Sequence, residues 1–353
     1  MEYAAVIIPT LNRKKHLKRC IESLQRNSDA KSTDLYISVD FPPAEKYQKG
    51  YPEVCEYVKT ITGFATVNLY YQDKNLGPGL NRKFLEEKIA EKHDKYIFTD
   101  DDNEFSSNFL EYMNWGLEKF KDDETIYAIC SCTDFEITPD NSEADYFIMQ
   151  AYNPYGSGHW LHKNSKCAEY LKQKDSLSKI YKSKERQKAL YMNSPMLYMW
   201  VAKDSLRRIP AMRGKNDQLT YIDIWENIYI IENNMNCIKP TLPKSRNWGR
   251  DGSGVHSDVN DSQNYVPSVA LDQSGTWSKR PGRLDEKKEL DNMTSHRNKF
   301  MICNKEKKKC QRIYELNALL GNKCFYGMFK IFIRIYKMIT RKDKTVESEI
   351  MYG

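Results

Sequence analysis

The first 120 residues alternate short apolar runs with apolar residues at helical spacing, and this rhythm leaves the chain few folds. Residues 4–8 form a β-branched run that stops at Pro9, after which Leu17, Cys20, Ile21 and Leu24 recur at the helical period. Residues 35–39 form a second run ending in Asp40, where Pro42 and Pro43 forbid its continuation. Val67, Leu69 and Tyr71 alternate ahead of Asn75-Leu76-Gly77-Pro78-Gly79, and Leu80, Phe84, Leu85 and Ile89 mark the next helix. The run 96–99 then delivers the chain to Asp100-Asp101-Asp102, and Phe109, Leu110, Met113, Leu117 and Phe120 form a further helical stripe that Ser106 or Ser107 would cap. Strands alternating with helices predict an α/β fold with a mostly parallel sheet and right-handed crossovers. Ligands of such sheets bind at the carboxyl ends of the strands. Asn12, Arg13, Asp40, Asn75 and the three acids all fall at that edge.

Absences narrow what binds there. The first strand-to-helix turn reads Pro9-Thr10-Leu11-Asn12-Arg13 without GxGxxG, and no GxxxxGK[ST] occurs, which speaks against dinucleotide and P-loop sites. Three successive carboxylates repel one another unless a cation neutralises them, and hard oxygen ligands favour Mg2+ or Mn2+. A solvated acidic turn is the competing reading. At 353 residues the chain is too long for one small module, and its 40% hydrophobic and 29% charged residues suit a folded core. The net charge of +7 suits phosphate-bearing ligands or an anionic surface. Nine cysteines without a CxxC pair read as reduced core thiols, with Cys130 and Cys132 on one strand face. The run 4–9 is too short for a secretory leader, so the fold is expected to begin at residue 1; no run reaches the roughly 20 apolar residues of a membrane span.

The strings VIIPTLNRKKHLKRCIESL, SVD, NLGPGLNR and YIFTDDDNEFSSNFLEYM together resemble the nucleotide-sugar-binding half of a GT-A glycosyltransferase of the family 2 kind. IDIWENIYIIENNMNCIKPTLPKSRNWGRDGSGVHS, residues 222–257, resembles the acceptor half of bacterial capsule and lipopolysaccharide sugar transferases. It is also similar to the eukaryotic N-acetylglucosaminyltransferase that initiates complex N-glycans. The resemblance implies roles. Asp40 would hydrogen-bond the nucleotide base, and Arg13 would lie beside the nucleotide. Pro9, Thr10, Asn12, Asn75, Gly77, Asn81, Asp100 and Asp101 complete the implied donor site. Asp102 would ligate the metal with Asp100, and His256 is the third metal candidate. Asp223 matches the catalytic base of inverting enzymes, with Glu226 one turn on as its rival. Arg246, Arg250, Gly252, Ser253 and Gly254 would form a phosphate-binding closing loop. Tyr155-Gly156-Ser157-Gly158-His159-Trp160 resembles the Gly/Trp strand of a sugar pocket, except that His159 replaces a glycine, and residues 194–200 compete for that place. Trp160, His159, Trp225 and Glu226 are the pocket candidates. The chemistry of sugar transfer independently requires both acidic sites, one near a diphosphate and one to deprotonate the acceptor hydroxyl.

The resemblance implies a GT-A catalytic domain over 1–260, divided into a donor half 1–105 and an acceptor half 106–260; composition sets the boundaries beyond it. Within the acceptor half, the charged stretch 163–190 reads as surface helices. A loop or linker spans 261–284, and a basic helical extension covers 285–353. Within it, Lys330, Arg334, Lys337 and Arg341 share one helix face of 324–341 among apolar residues, which fits a helix lying on an anionic membrane surface or packed on protein. No nucleic-acid recognition motif accompanies these residues. The expected function is an inverting, metal-dependent transferase using Mn2+ or Mg2+. It would move sugar from a UDP-sugar to a glycan or lipid-linked oligosaccharide at the inner face of the bacterial cytoplasmic membrane. A metal-dependent nucleotidyltransferase and a non-catalytic membrane-associated scaffold remain the alternatives.

Overall fold

The computed structural model describes residues 2–132, 145–172, 183–193, 198, 222–249, 251–253, 270–275, 277, 308, 311–316, 318–319 and 331. Two compact units divide the chain: Met1–Lys166 with Asn234–Leu290, and Cys167–Asn233 with Asp291–Gly353. The boundary falls inside the stretch 106–260 that the resemblance assigns to the acceptor half. The basic helix expected over 324–341 lies outside the described residues except for Ile331, as does the linker 261–284 apart from residues 270–275 and 277. Among the described residues no helix is long and apolar enough to cross a membrane.

The first unit is built on an eight-stranded sheet. Its strands are β1 (Ala5–Thr10), β2 (Asp34–Val39), β3 (Thr66–Tyr71), β4 (Lys95–Phe98), β6 (Ile126–Cys130), β7 (Tyr146–Met149), β8 (Ser157–Trp160) and β9 (Asn236–Pro240), in the order β3-β2-β1-β4-β8-β6-β9-β7. Pairings β1–β2, β1–β4, β2–β3 and β6–β9 are parallel; β8 and β7 run against their neighbours. Helices α1 (Lys14–Gln25), α2 (Tyr51–Val58), α3 (Gly77–Ile89) and α4 (Phe109–Lys119) flank it. This is the mixed, mostly parallel Rossmann-like arrangement of the GT-A class. β1 is buried along its whole length because it is central, and its side chains divide by parity. Val6 and Ile8 pack with Leu17, Ile21 and Phe109 on one face; Ala5 and Ile7 pack with Leu85, Ile89 and Tyr96 on the other.

The strand does not stop where the sequence suggests. It runs through Pro9, opposite Ser38, to Thr10. The ladder to β4 ends at Ile7, so no donor is required of Pro9 on that side. Helix α4 starts at Asn108 rather than on a serine cap: no side chain caps it, and the Ser106 hydroxyl donates to Asn108 Oδ1 at 2.8 Å. Cys132 lies beyond the end of β6 and is buried with Cys130. The cysteines at 20, 55, 130, 132, 167 and 237 are unbridged. Lys163 departs most from its expected solvated face. It is 1% exposed, and its ammonium donates to the carbonyls of Phe120, Asp123 and Ile126 at 3.2, 2.7 and 3.0 Å.

A short antiparallel ribbon, β5 (Asn103–Phe105) with β10 (Ser245–Asn247), leaves the acid turn and returns the chain to it from 142 residues away. In the second unit, helices α6 (Lys184–Asn193) and α7 (Ile222–Glu232) pack together. There Tyr170, on helix α5 (Leu161–Lys172), donates to Glu232, which Arg186 also reaches at 3.2 Å.

Candidate active site at the carboxyl edge of the sheet

The ends of β1, β2 and β4 bring one group of polar side chains together. Asp101 is nearly enclosed; one of its oxygens takes Arg13, and the other accepts the Thr10 hydroxyl at 2.7 Å. The Arg13 guanidinium also lies 3.0 Å from Asp102 Oδ2. Burial would lower the Arg13 pKa, but the adjoining Asp101 and Asp102 win and raise it, so this cation is fixed. One arginine does not neutralise three acids. Asp100 is lifted to about 7, by burial first and then by Asp102 and Asp101. Among the described residues no hydrogen bond reaches the Asp100 carboxylate. Asp102 is raised in the same direction by burial, against the pull of Arg13.

The middle acid thus serves the fold and shares Arg13 with Asp102, while among the described residues no ion pair reaches Asp100. Two hard oxygen donors at a strand end, both partly open to solvent, fit a divalent cation. Asp102 Oδ1 accepts from Asn247 Nδ2 at 2.7 Å, and its carbonyl accepts the Trp248 N–H at 2.8 Å. Gly249 is packed so closely on the Asp102 carboxylate that a Cβ there would overlap Oδ2.

Asp40 is 5% exposed at the end of β2 and is saturated by its own surroundings. Oδ1 accepts the N–H groups of Phe41 and Leu76 at 2.9 and 2.8 Å; Oδ2 accepts Gly77 N–H at 2.8 Å and Asn75 Nδ2 at 3.2 Å. Burial raises its pKa, and these bonds oppose the rise. Asp40 therefore shapes the turn that starts α3. Asn81 is buried behind it, donating to the Ser38 carbonyl at 3.2 Å. Asn12 is held by Tyr47, whose carbonyl it reaches at 3.3 Å.

Other candidates are placed elsewhere. Trp160 and His159 are buried, 2% and 1% exposed. Both belong to β8 inside the sheet, where Trp160 Nε1 donates to the Leu117 carbonyl at 3.0 Å and His159 Nε2 lies 2.8 Å from Ser157 Oγ. Burial, then Arg82, pushes the His159 pKa well down, so the ring is neutral. Gly156, with φ 88°, takes a backbone conformation that suits glycine, and a Cβ would meet Ser131 Oγ and Phe105 at 2.7 and 2.8 Å. Arg246 donates through Nε to Glu104 at 2.8 Å, with its side chain 27% exposed. Asp223 stands in the first turn of α7 in the second unit, half-buried, while Trp225 and Glu226 on that helix are buried. Gly252 and Ser253 are described; Arg250, Gly254, His256 and nearly all of residues 194–200 lie outside the described residues.

Three participants carried no sequence signal. Trp248 donates through Nε1 to Glu104 at 2.8 Å and stacks under Arg19, whose Cζ is 3.8 Å from the ring centroid. His16 Nε2 lies 2.9 Å from Asp251 Oδ2 and 3.2 Å from Ser253 Oγ. Asn247, besides holding Asp102, donates to Asn103 Oδ1 at 2.9 Å. Arg13, His16 and Arg19 recur every three residues, a helical stripe that faces this segment.

A mostly parallel sheet with acids gathered at its carboxyl edge presents them where ligands of open α/β sheets bind. The glycosyl transferase family 2 model matches residues 5–183, half of the chain, and the chain belongs to that family. No curated protein matches the sequence. Among solved structures, the chain is similar to S. aureus TarS, 13% identical over 47% of this chain and 29% of that one, with a TM-score of 0.33. It is also similar to the mannosyltransferase PcManGT of Pyrobaculum calidifontis, solved with GDP-Man and Mn2+, at 15% identity over 48% and 46% of the two chains and a TM-score of 0.34. GalNAc-T7, solved with UDP, GalNAc and Mn2+, aligns at 13% identity over 69% and 43%, with a TM-score of 0.40. The chain spans less than half the length of each of these three.

Proposed function

We propose that the protein is an inverting, divalent-metal-dependent transferase that moves a sugar from a nucleoside-diphosphate donor, a UDP-sugar, to a hydroxyl of a glycan or lipid-linked oligosaccharide. The observation that carries this reading is the acid turn. Asp100 and Asp102 sit at the carboxyl end of β4 with a charge that Arg13 alone does not balance. A bound Mn2+ or Mg2+ would stabilise the negative charge that develops on the diphosphate as it leaves. Asp100 and Asp102 would hold that ion, and Arg13 would keep Asp101 and Asp102 in place beside it. Asn12, Asp40 and the Asn75–Gly77 turn would border the nucleoside, with Asp40 acting through the turn it organises. Asp223 would take the proton of the acceptor hydroxyl as that oxygen attacks the anomeric carbon from the face opposite the leaving diphosphate. One displacement inverts the configuration. The family match and the placement of the acids support the donor class. The acceptor, and a location at the inner membrane face through the C-terminal basic helix, are part of the proposal.

Asp223→Asn tests the mechanism. It is expected to lower transfer by about 10²–10⁴-fold, the range of a positioned general base, while UDP affinity stays within about twofold. Transfer at the wild-type rate would remove Asp223 as the base. Product of retained anomeric configuration, read by proton NMR, would remove inversion.

A further inference from the structure

The acid turn is held by a segment far away in sequence. From Ser245 to Ser253 the chain is anchored at successive points: Arg246 on Glu104, Asn247 on Asp102 and Asn103, Trp248 on Glu104 and under Arg19, and Asp251 with Ser253 on His16. Asn247 is the centre of this arrangement, and its amide is used on both sides. Nδ2 donates to Asp102 Oδ1 at 2.7 Å and to Asn103 Oδ1 at 2.9 Å; Oδ1 accepts the Gly249 N–H at 2.9 Å. The last contact turns the chain so that Gly249 backs directly onto the Asp102 carboxylate, where no side chain fits. Asp102 is thereby restrained by an amide on one oxygen, Arg13 near the other and backbone behind.

We propose that Asn247 is a positioning residue for the transfer reaction: it fixes the orientation of the Asp102 carboxylate, and the anchored segment 245–253 keeps Asn247 in place. Hydrogen-bond partners that orient a ligating carboxylate tune metal affinity, and their loss weakens binding about 10–100-fold. This inference rests on Asp102 being a ligand to the divalent cation. It goes further in assigning the ordering of that ligand to a residue 145 positions away.

The test is a titration of the full chain with Mn2+ in saturating UDP, with free Mn2+ counted by its electron paramagnetic resonance signal. Wild type, Asp102→Ala, Asn247→Ala and Asn247→Ser are compared, each shown to be folded by its melting transition. Asp102→Ala should lose the site. Asn247→Ala should bind Mn2+ at least tenfold more weakly, and Asn247→Ser, whose hydroxyl is too short to span the contact, should follow it. In turnover, the KM for Mn2+ should rise with little change in kcat at saturating metal, a split that general loss of structure would not give. If both Asn247 variants bind Mn2+ as tightly as wild type while Asp102→Ala does not, the positioning role is overturned and the Asp102 reading stands. If wild type itself retains no Mn2+, or Asp102→Ala retains it fully, the Asp102 reading falls and this inference falls with it.

Discussion

At the scale of single residues, the acids of the carboxyl edge divide by what already surrounds them. Asp40 accepts three backbone N–H groups and one amide, so its removal acts on a turn before it acts on any ligand. Asp40→Ala is expected to cost about 1–3 kcal/mol in urea unfolding, because buried donors lose their acceptor. It should also weaken UDP binding, through disorder of the Asn75–Gly77 turn. Unchanged stability would mean that the turn holds without Asp40. Gly249→Ala is expected to displace the Asp102 carboxylate and to weaken Mn2+ binding while shifting the melting temperature little; metal affinity within twofold of wild type would show that the close approach is relaxed without consequence. The sequence displayed these acids because each ends a legible strand. It did not display Asn247, Trp248 or His16, whose partners lie 144, 144 and 235 positions away and leave no local pattern.

At the scale of elements, β1 to β4 and their helices were legible because each buries a face whose period can be counted. The ribbon of β5 and β10 was not, since strands of three residues are made by their pairing rather than by their propensity. The burial of Trp160 and His159 was illegible for a related reason: a strand of glycine, histidine and tryptophan reads equally as core or as binding surface until its neighbours on both sides are known. One pairing anchors the return segment from below. Lys244 and Asp272 form a buried ion pair, and Asp272 also accepts from Asn108 at 2.8 Å. Burial would raise the Asp272 pKa, but the bonds from Lys244 and Asn108 win and hold it at about 2. A carboxylate depressed below its ordinary value of about 3.9 contributes stability that is complete above about pH 4 and is lost as the pH falls toward 2. Urea melts of wild type should therefore weaken across that interval, and Asp272→Asn should weaken less. Near neutral pH, Asp272→Ala should cost about 3–5 kcal/mol, since Lys244 is left buried without its partner. Equal acid sensitivity in wild type and Asp272→Asn would contradict this.

At the scale of the whole molecule, the donor-binding edge belongs to one compact unit, and the proposed base Asp223 belongs to the other. Binding and catalysis should therefore separate under mutation, with acid-turn variants losing ligand and Asp223 variants losing turnover. The order of β1 to β4 and their helices along the chain was readable, whereas the return of residues 234–290 to the first unit was not, because only the three-dimensional pairing of β9 with β6 and β7 brings it there. The most direct measurement is the melting temperature of the full chain with UDP, GDP, CMP and dTDP, each with and without Mn2+. A ligand that binds only the folded state stabilises it by about 2.7 kcal/mol at one hundred times its dissociation constant. The expected result is a rise with UDP that requires Mn2+ and that is absent in Asp102→Ala. No shift with any nucleotide, in protein shown to be folded, would contradict a metal-dependent nucleotide site at the end of β4.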